Sequence, residues 1–128
     1  MEYNKDVNRR DNLLFGEDYN ADKYHGGVRD FKSVNLETLQ TLLDEKFISP
    51  YECQNCSPST EEFMEFMEEH PEFYAHGYAV ALNRMDYRIT LEGIACDDDV
   101  DKDTLMDFIR MCRYADDFDI EPPYAWWD

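Results

Sequence analysis

The stretch that most constrains this 128-residue chain is residues 73–96, two alternating runs joined by the polar connection Asn83-Arg84-Met85-Asp86. That pattern predicts an antiparallel β-hairpin. In the first run Tyr74, His76, Tyr78, Val80 and Leu82 share one parity, while Ala75, Gly77, Ala79 and Ala81 share the other, so one row is bulky and its opposite nearly flat. The second run alternates Tyr87, Ile89 and Leu91 with Arg88, Thr90 and Glu92. The natural register sets bulky against bulky and polar against flat. A bulky row needs a cover, and amphipathic segments on both sides of the hairpin can supply one.

Those segments are legible from spacing. Leu36, Leu39, Leu42, Leu43 and Phe47 follow Asn35 at helical intervals and predict a helix over 35–47, closed before Pro50. Phe63, Phe66 and Met67 mark a second helix over 58–70, opened either by Ser57 with Pro58 or by a Ser59/Glu62 capping box and stopped by Pro71. Leu105, Phe108, Ile109 and Cys112 mark a third over 102–115, and residues 117–121 read as a short strand that Pro122-Pro123 ends. The fold class is therefore α+β: an antiparallel sheet built on the central hairpin and covered by about three helices. Residues 1–34 keep no period for long and read as an N-terminal arm or irregular segment, mobile over the first ten residues, with Arg9-Arg10 solvated; residues 35–128 form the single domain. Trp126 and Trp127 either pack into a groove of that domain or form a recognition tail.

Charge is the feature that speaks to partners. The net charge is −18, and it is unevenly placed: residues 36–72 carry ten acids and one base, residues 97–128 eleven and three, and the remaining segments are nearly neutral. Such a chain does not bind nucleic acid directly, because that requires Lys and Arg against phosphates. A basic protein surface suits it better. No apolar run is long enough to span a membrane and none near Met1 resembles a secretory signal, so a cytoplasmic protein is expected, with Cys53, Cys56, Cys96 and Cys112 as thiols or metal ligands.

Candidate chemistry is thin. Cys53 and Cys56 are half of a zinc site, which Cys96, Cys112, His70 or His76 would have to complete; otherwise Cys96 and Cys112 are small core residues. Asp97, Asp99 and Asp101 have calcium-loop spacing, but Lys102 and Phe108 occupy the places of the required Gly and Glu. A helix-entry cluster is the better account. His76 has no sequence-legible catalytic partner and reads as a satisfied histidine. The chain is read as non-enzymatic. The expected function is a small acidic protein-binding module, an inhibitor of immunity, anti-restriction or anti-CRISPR type that mimics nucleic acid before a basic partner through Glu61, Glu65, Glu68, Glu69, Asp97, Asp98, Asp99 and Asp101. A zinc-stabilised protein using Cys53 and Cys56, or a soluble domain whose charge only solvates it, is the alternative. The flat hairpin row is a candidate homodimer face.

Overall fold

The computed structural model describes residues 2–128. In chain order the elements are α1 (Val7–Phe15), a 3-10 turn (Ala21–Lys23), β1 (Val28–Val34), α2 (Leu36–Asp44), α3 (Thr60–Glu69), β2 (Tyr74–Val80), β3 (Ile89–Ala95), α4 (Lys102–Met111), β4 (Asp117–Ile120) and β5 (Pro123–Trp126). The strands form an open antiparallel sheet in the order β1-β2-β3-β5-β4, so the fold is α+β as expected. The three anticipated helices start where their caps dictate. Asn35 accepts from the Thr38 N–H, Asp101 accepts from the Thr104 N–H, and Ser59 with Glu62 forms a complete capping box that prevails over the Ser57-Pro58 start.

The covered face is the opposite of the one anticipated. Ala75, Gly77 and Ala79 point into the core with Phe31, Val34, Ile89, Leu91, Ile94 and Ala125, while Tyr74, His76 and Tyr78 lie on the side that no helix covers. Pairing is large against small on both faces: Ala79 opposes Ile89, Gly77 opposes Leu91, Ala75 opposes Ile94, and on the other side Tyr78 opposes Thr90 and His76 opposes Gly93. The volume left above the alanines is filled by aromatic side chains of the cover. Phe73 stacks on Phe108 at 5.5 Å and meets Phe66 edge-on at 5.0 Å, and Phe63 meets the fully buried Trp127 at 5.6 Å. Because the flat row is inside the core, it is not a homodimer face.

The first 34 residues are also more ordered in their roles than their lack of period suggests. They supply α1, the 3-10 turn and the edge strand β1, which pairs with β2. The reason is a buried ion pair. Arg10 and Asp11 are 1% and 0% exposed, joined Nε to Oδ1 at 2.8 Å. Arg10 also donates to the Val80 carbonyl at 2.9 Å and to the Tyr24 hydroxyl at 2.7 Å, and that hydroxyl donates to Asp11 at 2.5 Å. Arg9, one position earlier, reaches an exposed pair with Glu45 at 2.7 Å. Removing one member of a buried pair strands the other without solvent, whereas an exposed pair contributes little. Arg10→Ala is therefore expected to destabilise the protein by about 3–5 kcal/mol in urea unfolding, and Arg9→Ala by less than about 1 kcal/mol. Equal losses at the two positions would contradict this account.

Candidate functional site

The uncovered sheet face holds a cavity of about 350 Å³ between β1, β2, β3 and β5. Its construction begins with two breaks in strand register, both opposite His76. On β1 the pairing steps from Phe31↔Gly77 to Val34↔Ala75, and on β3 from Leu91↔Gly77 to Gly93↔His76, so each neighbour of β2 carries one extra residue there. Bulges of this kind re-aim side chains and concentrate beside functional sites. The extra residues bring Lys32 and Glu92 to the cavity wall, which Asp30, Tyr74, His76, Tyr124 and Trp126 share.

His76 is held flat against Tyr124, ring centroids 5.2 Å apart and 7° from parallel, and its Nε2 lies 3.1 Å from the Ala125 carbonyl oxygen. A carbonyl only accepts, so the proton sits on Nε2 and Nδ1 keeps its lone pair. Burial pushes the imidazole below its ordinary value of 6.5, the Ala125 bond opposing it in part. Gly93 makes room for the ring, since a Cβ there would stand 1.8 Å from the Ala125 oxygen and 2.7 Å from the imidazole. Tyr74 donates to Asp97 at 2.7 Å. Glu92 accepts one hydrogen bond, from the Trp126 indole Nε1 at 3.2 Å, and burial raises its carboxyl above the ordinary 4.5, the Trp126 bond opposing and the charges of Asp30 and Asp128 adding to the rise.

The anticipated carboxylates are distributed over more than one surface. Glu61, Glu65 and Glu68 follow one side of α3, in a groove of about 550 Å³ shared with Leu36, Glu37, Gln40 and Leu43. Glu62, Glu65 and Glu69 face the other side, in a second groove toward Asp107 and Arg110 of α4. Asp99 and Asp101 join Glu69, His70 and Glu72 at the end of α3. Asp97 instead turns to Tyr74 on the sheet face, and Asp98 is exposed in the loop. Asp101 is the cap of α4, and the Thr104 N–H it accepts holds its carboxyl below the usual range. None of the eight forms an ion pair among the described residues.

Cys53 and Cys56 are exposed in the loop before α3, and among the described residues neither belongs to a group of three side chains able to share one ion. Their suggested completions are engaged elsewhere: Cys96 and Cys112 are in the core, His76 is on Tyr124 and His70 binds Asp107 at 3.1 Å. The one group that could gather around a cation among the described residues is Glu69, His70 and Asp107, in which Asp107 already accepts from Arg110 at 2.8 Å. No family model, curated protein or solved structure matches the chain. Among the described residues no helix is long and apolar enough to cross a membrane.

The sheet-face cavity is not visible in a strict two-residue alternation over the second hairpin run, nor in a reading of residues 1–34 as an irregular segment without a strand. The signal was present: Phe31 to Val34 and Leu91 to Ile94 are each three apart, which places an odd residue between two core positions.

Two measurements check these assignments. A folded-state carboxyl raised above its unfolded value stabilises while protonated, and that contribution is lost as pH rises from about 4.5 through the folded value. Glu92→Gln should therefore gain stability relative to the parent as pH climbs through that window and level off above it; a pH-independent difference would contradict the burial of Glu92. Thiol labelling of the native protein should modify Cys53 and Cys56 rapidly and spare Cys96 and Cys112, the latter pushed up to about 12 by burial. Four equally fast thiols would contradict the core placement.

Proposed function

We propose that the helical face is a protein-binding surface for a basic, nucleic-acid-handling protein, acting as an inhibitor that presents carboxylates where the partner expects phosphates. The observation that carries this reading is the arrangement of acids on α3. Glu61, Glu65 and Glu69 are spaced by four, and Glu62, Glu65 and Glu68 by three, so like charges face one another along the helix. Each such pair destabilises by about 0.2–0.5 kcal/mol. Glu68 and Glu69 stand in the last turn, where carboxylates oppose the helix dipole, and that turn has no base. Solubility alone can be met by charge anywhere on a surface. Crowding it on one helix against local electrostatics supports selection for a complementary positive partner.

Spacing is compatible with phosphate mimicry. Glu61 and Glu65 are separated by about 6 Å of helical rise, close to the roughly 6.8 Å of duplex rise across two nucleotides of one strand. The grooves flanking α3 would receive long Lys or Arg side chains. A cytoplasmic setting accords with the four free cysteines.

The test compares the parent with a variant carrying Glu61, Glu65, Glu68 and Glu69 as Gln, each immobilised and exposed to host lysate over a salt series. A basic nucleic-acid-binding protein should be retained by the parent, displaced by added duplex DNA, and absent from the variant. The variant should meanwhile be more stable than the parent by on the order of 1 kcal/mol, because like-charge pairs are removed. Identical retained proteins on both baits, or retention indifferent to DNA, would remove the inhibitor reading.

A further inference from the structure

We infer that the cavity beside His76 is a binding site for a guanidinium group. This site lies on the face opposite the helices and does not rest on the reading of α3. Its polar inventory is dominated by acceptors. Asp30 and Glu92 both line it, and neither has a basic group within ion-pair distance among the described residues. The His76 Nε2–H is committed as a donor to the Ala125 carbonyl, so the imidazole contributes only the Nδ1 lone pair. Around these acceptors stand the rings of Tyr74, Tyr124 and Trp126. Aromatic faces beside carboxylates recognise cations, and a planar fork of donors that also stacks distinguishes guanidinium from ammonium. A volume of about 350 Å³ suits a ligand of side-chain size.

The protein already uses this chemistry one step along the same row. Tyr78 follows His76 on the uncovered face of β2, and the Arg88 guanidinium lies 5.6 Å over its ring. Arg88 donates to the Tyr78 hydroxyl at 2.9 Å and to the Asp86 carboxylate at 3.2 Å. At Tyr78 the ring and the carboxylate are satisfied by a residue of this chain; at His76 the rings and two carboxylates are present without one. The register break on β3 places Glu92 at the cavity wall, where the Trp126 indole N–H donates to it.

Lys32 decides the sign of the site. It lines the cavity but makes no ion pair among the described residues. A cation site is weakened by this ammonium, and an anion site would be built on it.

The experiment is an NMR titration of the full chain with methylguanidinium chloride, with sodium chloride and methylammonium chloride as controls, following the Trp126 indole N–H that donates to Glu92. A saturable shift with a midpoint on the order of 1–10 mM is expected, with methylammonium weaker. Glu92→Gln should weaken the midpoint by roughly tenfold while remaining folded by thermal unfolding, and Lys32→Ala should tighten it by about threefold. An arginine-containing peptide titrated in parallel separates the sources: a tighter midpoint than methylguanidinium assigns the group to a polypeptide, and an equal one to a free small molecule. Absence of a saturable shift, unchanged binding by Glu92→Gln, or weaker binding by Lys32→Ala would overturn the assignment.

Discussion

The row Ala75, Gly77 and Ala79 at the centre of the sheet is the constraint from which the rest of the architecture follows. Small side chains on a central strand leave a layer of space that must be filled to crystalline density. The helices fill it with Phe63 and Phe108, the connection from α3 to β2 adds Phe73, and the segment after β5 adds Trp127. A sheet with Val or Ile in that row would push these rings outward. The consequence for the other face is immediate. Since the flat row takes the helical cover, the bulky aromatic row of β2 is left without one, and the molecule acquires an aromatic sheet surface with a recess where the register breaks.

The second constraint is the buried Arg10–Asp11 pair, which fastens the N-terminal quarter of the chain to the hairpin. Its hydrogen bonds converge on Tyr24 and on the Val80 carbonyl, so α1, the turn before β1 and the end of β2 meet at one polar knot. Burying two charges is tolerated because their donors and acceptors are met: of the buried side-chain polar atoms among the described residues, only one Arg29 nitrogen lacks a partner. This knot fixes β1 as an edge strand and so brings Asp30 and Lys32 to the recess.

Part of this architecture is legible in the sequence, and what is not has physical causes. Caps are local chemistry: Asn35 marks the start of α2 in the sequence, the start of α3 stays open there between Ser57 and Ser59, and the aspartate run before α4 marks its entry without singling out Asp101. Which face of a hairpin is buried is a tertiary decision, and bulk alone misjudged it because the core could be completed by rings from the cover. Arg10 looked solvated since nothing in a basic-acidic doublet announces burial. β5 was hidden by Pro122-Pro123: Pro123 cannot donate to a ladder, yet it opens a strand that pairs β3 with β4, and the Cys96 N–H donates to its carbonyl. Of the eight acids, Glu61, Glu65, Glu68 and Glu69 lie on α3, whereas Asp97, Asp98, Asp99 and Asp101 precede α4 and the fold turns Asp97 to Tyr74.

The two proposed sites have one physical property in common: each holds charge where the fold would be better without it. Arg9, Arg10, Lys23, Arg29, Arg84, Arg88 and Arg110 are all engaged with acids, and none of those acids lies on α3. The glutamates of α3 repel one another and oppose its dipole at the C-terminal end, and Glu92 sits half-buried beside Asp30 with an indole as its hydrogen-bond donor. Rearranging a few side chains would relieve both, since Arg88 and Asp86 demonstrate a compensated version on the same sheet. Folding stability therefore does not account for these carboxylates, while an external cation would compensate them. The helical ridge is broad and exposed and suits a protein surface; the recess is narrow and ring-lined and suits a single planar group. A stability gain on neutralising either site, accompanied by loss of its ligand, is the expected relation between the two roles of such residues.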